Sequence, residues 1–304
     1  MSPRAGVRSH PLSCEAKTRE ERDRMAIRAI ALDIDGTLTN DEKRITPRTK
    51  KVLLEVQGAG VTLILASGRP VQGLRALAAE LELEQHHGLI VAYNGARVVD
   101  AESDELLFNQ PMSAADSRAV VEHMRGFDVI PWIVEDDQLY IERGVSHIIG
   151  HRGAPMDIVE YERRHCDLVL NEVDDLLELC DHPQDKILVA GTDTYLAEHW
   201  RAMREPFKDT LSCMFTADFY YEYMALGIDK GHALRFALPK RGIDASELAA
   251  FGDGQNDVPM IELAGCGVAM GNAIEEAKQA ANMVTASNNE DGIADALVAL
   301  GLLG

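Results

Sequence analysis

Asp33 and Asp35 stand two residues apart at the end of the apolar run 29–32, and Gly36-Thr37 follows at once. Like charges this close are unfavourable unless a cation or a shared proton relieves them. Oxygen donors of this kind suit a hard divalent ion. On a continuing strand the two side chains would share one face. A turn at Gly36 can separate them instead and give each carboxylate its own task. Three further groups have chemistry to add: Ser67-Gly68-Arg69, Lys230-Gly231, and Gly252-Asp253-Gly254-Gln255-Asn256-Asp257. Together they hold what phosphoryl transfer needs: a nucleophile, a cation, positive groups around the equatorial oxygens and a proton donor for the leaving oxygen. In that chemistry Asp33 is the candidate nucleophile, forming an aspartyl-phosphate. Asp35 is the candidate general acid, and then the base that activates water. Asp33 and Asp253 would hold Mg2+, Ser67 and Lys230 the phosphoryl group, and Asn256 with Asp257 would complete the site.

Each group has a plainer reading alone. An Asp-x-Asp-Gly can be a turn or a calcium loop, but the twelfth position from Asp33 is Arg44, where that loop needs Glu. Ser67 can be a helix N-cap, Lys230 a solvated lysine, and Gly252-Asp253-Gly254 a common loop. Found together and in order, they favour catalysis. His147 and His151 have the i, i+4 spacing of a zinc pair, yet Gly150 lies between them and no HExxH occurs. They are expected instead in a loop of a second domain, in reach of substrate. Asn94-Gly95 reads as a hairpin turn or, at a third strand end, as an active-site neighbour.

The elements that must position these residues are legible around them. The runs 29–32, 61–66, 89–92, 248–251 and 267–270 are apolar along their whole length, as in a parallel sheet covered on both faces. Ligands bind at the carboxyl ends of such strands. Thr46-Pro47 signals a helix N-cap and first turn, with Val52, Leu53 and Val56 continuing to Gly58. Pro70 is expected to open a helix through Leu74, Leu77, Ala78 and Leu81, and Pro259 one through Ile261 and Leu263. Lys230 begins another, with Ala233, Leu234 and Ala237, which would put its ammonium at an anion-binding helix end. The predicted fold is α/β, with a doubly wound parallel-sheet core. Residues 108–220 differ, with hairpin-like and β/α patterns at 130–135, 139–142, 167–170 and 187–190, a helix near 194–204 and strands near 210–215 and 219–224. The expected organisation is a core of 26–107 and 221–304, an inserted α/β domain of 108–220, and a disordered extension of 1–25 with Met25 a candidate natural start.

The chain has 304 residues and a formal charge of −20, with no Lys/Arg-rich block, which argues against nucleic acid or an anionic membrane as partner. No apolar stretch approaches the 18 residues of a membrane span. Cys14, Cys166, Cys180, Cys213 and Cys266 are odd in number and never in CxxC spacing, as expected of reduced thiols in the cytoplasm. Nothing in the chain indicates an oligomeric state.

DIDGTL, ASGR, the Lys of DKG and GDGQND resemble the four motifs of the haloacid dehalogenase superfamily. The long insert between the second and third motifs, NGA at 94–96 and NNEDGIADAL at 288–297 are similar to the Cof-type phosphatases with a type IIB cap. The resemblance runs from about residue 27 to 300. It implies a nucleophile at Asp33, an acid/base at Asp35, and Mg2+ ligands at Asp33, the backbone carbonyl of Asp35 and Asp253. It implies phosphate contacts at Ser67, Gly68, Lys230 and Asn256, with Asp257, Arg69 and Asn94 in support. Members with an acid at the Asp35 position resemble phosphohydrolases; the dehalogenases lack it. The expectation is a Mg2+-dependent phosphatase for small phosphorylated metabolites, such as sugar phosphates. A phosphomutase and a phosphate-sensing regulator without turnover are the alternatives, and Asp35 argues against the regulator.

Overall fold

The computed structural model describes residues 27–303; the expected extension 1–25, Met25 and Cys14 lie outside them. The chain first forms β1 (Ala29–Leu32), α1 (Pro47–Gly58), β2 (Thr62–Ala66), α2 (Gln72–Glu80), β3 (Leu89–Ala92), β4 (Arg97–Asp100) and β5 (Leu106–Asn109). There follow α3 (Ala114–Met124), β6 (Ile130–Glu135), β7 (Gln138–Glu142), β8 (Ile148–His151), β9 (Ala154–Asp157), α4 (Ile158–Cys166) and β10 (Val169–Val173). Then come β11 (Ile187–Ala190), α5 (Asp193–Arg204), β12 (Leu211–Ala217), β13 (Tyr220–Ala225) and α6 (Lys230–Ala237). The chain closes with β14 (Leu248–Gly252), α7 (Val258–Leu263), β15 (Cys266–Ala269), α8 (Glu275–Ala280), β16 (Met283–Val284) and α9 (Gly292–Ala299).

The first sheet has eight strands in the order β16-β15-β14-β1-β2-β3-β4-β5. It is parallel from β16 to β3, and β4 and β5 extend it antiparallel. Alternate residues of β1 serve opposite faces. Ile30 and Leu32 pack with Leu53, Val56, Leu74 and Leu297 from α1, α2 and α9. Ala29 and Ala31 pack with Ala233, Leu234 and Met260 from α6 and α7. Burial on both sides is why these strands read as unbroken apolar runs. Thr46 caps α1 as expected, its hydroxyl accepting from Thr49 N at 3.3 Å. Pro70 is not helical: α2 starts only at Gln72, after a turn.

The insert forms a second sheet of six strands, β10-β7-β6-β11-β13-β12, beside the small β8–β9 hairpin. The expected strand at 167–170 starts later, as β10, because Asp167 takes a left-handed conformation that ends α4. The expected return to the core at 221 is also too early. Strand β13 is buried throughout and pairs antiparallel with both β11 and β12, so the chain rejoins the first unit only at α6. The two crossing segments are tied together, Gln110 Nε2 donating to Leu226 O at 3.2 Å. No described helix is long and apolar enough to cross a membrane.

Candidate active site

Register explains why distant motifs meet. Leu32 pairs with Leu65 of β2 on one side and Phe251 of β14 on the other. The residues just beyond, Asp33, Ser67 and Asp253, therefore leave the sheet at one edge. Gly36 turns the chain there with φ +86, and a Cβ on it would lie 2.4 Å from Asp253 Oδ2. Glycine is required twice over, by conformation and by space. Thr37 Oγ1 donates to Asp253 Oδ1 at 3.0 Å, which fixes that carboxylate against the loop. Asn272 and Asn288 hold the same loop from outside, through Gly36 O at 2.8 Å and Thr39 O at 3.0 Å.

Lys230 starts α6 as expected, with Asp229 as N-cap, but its ammonium is not turned toward open solvent. It is fully buried and donates to Asp33 Oδ1 at 2.6 Å and Asp257 Oδ1 at 2.5 Å. Asp257 Oδ2 in turn accepts the backbone N–H groups of Asp253 and Gly254, both at 2.9 Å. Asp33, Asp253 and Asp257 thus have carboxylate oxygens within 4.8 Å of one another, around one lysine. Burial, and then the Asp257 charge, push the Asp33 carboxyl well above its ordinary range, against the pull of Lys230. Burial and the same neighbour push Asp253 up to about 6. Asp33 Oδ2 and Asp253 Oδ2 take no hydrogen bond among the described residues. Free, negatively charged, oxygen-only donors short of positive charge fit a hard divalent cation.

Asp35 points elsewhere. Arg69 grips it, with Nη2 at 2.7 Å and Nε at 3.1 Å from Oδ2, and Lys43 Nζ lies 2.8 Å from Oδ1. Burial raises its pKa, but Arg69 and Lys43 outweigh that and hold it below the usual carboxylate value. Ser67 is buried, and its Oγ accepts from Arg69 N at 3.2 Å, leaving its own proton to donate. Asn94 lies in the β3–β4 turn with φ 52, followed by Gly95 at φ 106. It makes the hairpin turn, and its Oδ1 accepts from Asn256 Nδ2 at 2.9 Å.

These groups open on a cleft of about 330 Å³ between the two sheets. Asp33, Asp35, Ser67, Gly68, Arg69, Asp253, Asn256 and Asp257 line one wall. The opposite wall carries residues the sequence reading missed: Tyr161, Glu162, His165, Lys186, Tyr220 and Glu222. Tyr161, Glu162 and His165 come from α4; strand alternation selects the others, since Leu188 and Tyr220 face the cleft while Ile187, Val189, Tyr221 and Tyr223 pack on the other face. The available signal was a lone charge in an apolar strand, as with Glu222 among tyrosines or Lys186 before Ile187. Lys43, which pairs with Asp35, carried no such signal. The expectation that His147 and His151 approach substrate fails: neither lines the cleft. Instead His151 sits in β8 beside Asp193, its Nδ1 3.7 Å from Oδ2.

A sequence profile of the haloacid dehalogenase-like hydrolases matches residues 30–297. A 5-amino-6-(5-phospho-D-ribitylamino)uracil phosphatase of Bacillus subtilis is 28% identical, over 91% of this chain and 97% of its own. A pyridoxal phosphate phosphatase of Escherichia coli is 27% identical, over 89% of this chain and 97% of its own. The crystal structure of a haloacid dehalogenase-like hydrolase from Bacteroides thetaiotaomicron superposes with a TM-score of 0.81, is 31% identical, and covers 90% of this chain and 99% of its own.

Proposed function

Because this chain belongs to the haloacid dehalogenase-like hydrolases and is a phosphoric monoester hydrolase, we propose that it hydrolyses small phosphorylated metabolites through an aspartyl-phosphate on Asp33, with Mg2+ as cofactor. The observation that carries this reading is the set of three carboxylates around the buried Lys230 at the sheet edge, facing a small cleft. Asp33 and Asp253, with the backbone carbonyl of Asp35, would hold the ion. When bound, Mg2+ offsets phosphate charge and lowers the barrier to attack by an anion.

Lys230 aims Asp33 through the 2.6 Å bond and favours its ionised form, a pull that a cation beside it would complete, leaving Oδ2 free to attack phosphorus. Ser67 Oγ–H, Gly68 N–H and Asn256 Nδ2–H are the donors for the equatorial oxygens. Asp35 passes a proton to the leaving oxygen, then takes one from the water that cleaves the acyl phosphate. Its pairing with Arg69 and Lys43 suits the second role. For the first role Arg69 must loosen its hold as substrate enters. The six-stranded unit acts as a cap whose closure sheds water and selects substrate. The polar cap wall and the size of the cleft favour hydroxyl-bearing substrates such as sugar phosphates. Unpaired thiols at Cys166, Cys180, Cys213 and Cys266 support a cytoplasmic setting.

Phosphate release from a panel of phosphorylated metabolites tests the reading. Steady turnover of some members with Mg2+, none with EDTA, and recovery on adding the ion back are expected. A phosphoenzyme that discharges only to a sugar hydroxyl would make the protein a mutase instead.

A further inference from the structure

We propose that Glu222, on the cap strand β13, is a positioning residue that sets which way the Asn256 side-chain amide faces in the cleft. The inference rests on the reading of Asn256 as a phosphate contact. Glu222 is 2% exposed, and both its oxygens are engaged. Oε2 accepts from Asn94 Nδ2 at 2.8 Å. Oε1 accepts from Lys186 Nζ at 2.8 Å and Thr216 Oγ1 at 3.0 Å. Asn94, 1% exposed, accepts through its Oδ1 from Asn256 Nδ2 at 2.9 Å.

The direction of this relay follows from charge. A carboxylate only accepts, so Asn94 must turn its NH2 toward Glu222 and its carbonyl toward Asn256. Asn256 must then meet that carbonyl with its own NH2. One Nδ2 proton is used on Asn94 and the other remains for an anion in the cleft, which Asn256 lines. With the amide reversed, Asn256 would present a carbonyl oxygen to phosphate, an acceptor against an anion. The other arm of Glu222 acts on a second loop. Lys186 bridges from Oε1 to Gly68 O at 2.9 Å, and Asn94 N donates to Ser67 O at 2.9 Å. One carboxylate of the cap therefore orients the two loops of the core that carry the proposed phosphate donors.

Substitution can reverse the relay and then restore it. In Glu222→Gln, Oε1 still accepts from Lys186 and Thr216, so the new NH2 faces Asn94. Asn94 and Asn256 must both flip to meet it. Adding Asn94→Asp places an acceptor-only group between that new amide and Asn256. An aspartate there accepts from both neighbours and returns Asn256 to its original orientation. Titration calorimetry with inorganic phosphate in the presence of Mg2+ reads the effect directly, and thermal melts report the fold. We expect phosphate affinity to fall roughly ten-fold in E222Q, with little change in Tm, and most of it to return in E222Q/N94D. Wild-type affinity in a folded E222Q, or a folded double variant no better than E222Q, overturns the proposal. Should E222Q not fold, N94A cuts the middle link: a several-fold loss of phosphate affinity supports the relay, and unchanged affinity refutes it. Turnover of an aryl phosphate by the wild type separately tests the phosphatase reading, so the two can fail independently.

Discussion

Two buried lysines, one in each of the units that border the cleft, differ in their surroundings. Lys230, on the core side, sits between Asp33 and Asp257 with Asp253 close by, and the cluster keeps a surplus of negative charge with two oxygens unengaged. Lys186, on the cap side, pairs with Glu222 and also reaches a backbone carbonyl, while Asn94 and Thr216 complete the carboxylate. The core cluster leaves Asp33 Oδ2 and Asp253 Oδ2 without a hydrogen bond among the described residues, as the proposed cation and phosphate would require. The cap cluster is complete within the protein. Incomplete satisfaction of buried charge is a mark of chemistry, and full satisfaction a mark of alignment.

The harshest test of this contrast is Asp33→Asn. Hydrolysis of an aryl phosphate should drop by at least about 10⁴-fold, as when a covalent nucleophile is removed; near-normal turnover would sink the assignment of chemistry to the core cluster. Next come the lysines themselves. Lys230→Met strands two buried carboxylates and should destabilise the protein by about 3–5 kcal/mol in denaturant titration. Lys186→Met leaves Glu222 its amide and hydroxyl donors, so about 1–3 kcal/mol is expected. An inverted order would break the comparison.

A smaller effect sharpens it through pH. Asp253 stands at about 6 in the metal-free protein, so protons compete with Mg2+ there, and apparent affinity should weaken up to about ten-fold per pH unit below 6. The same shift has a sign for stability. A carboxyl raised from 3.8 to about 6 on folding contributes stability that is complete below 3.8 and lost as pH rises through 6. Metal-free protein should therefore melt lower at pH 7 than at pH 5, and Mg2+ should narrow the gap; equal melting points would contradict the charge surplus. The smallest effect concerns Arg69→Gln. Freed from its partner, Asp35 should gain a higher pKa and stay protonated longer, moving the alkaline limb of the kcat profile upward. A limb that moves down or stays fixed would remove Asp35 from the acid step.

The core site was legible because each of its parts is a short contiguous string at the end of an apolar run, and parallel register then brings those ends together. The cap wall was not. Glu222 lies in β13, Lys186 just before β11 and Glu162 in α4; the pairing of β11 with β13 brings the first two together, and the bond from Tyr220 to Glu162 adds the third. Strand pairing is long-range information that spacing along one chain does not carry. The boundary at 221 cuts through the strand expected at 219–224, which pairs within the second sheet as an insert strand. Lys230 was found but its contacts were not, since the helix-end pattern gives its position and not the two carboxylates that enclose it.

The chain passes between the two sheets at 110–113 and at 226–229, and Gln110 ties these passages to each other. Rotation about these two passages is the easy coordinate of the insert, and it must first break the bonds from Glu222 to Asn94 and from Lys186 to Gly68 O. Closure of the proposed cap would then reduce to an angle. A single distance measured between labels on opposite lips of the cleft would track the whole movement.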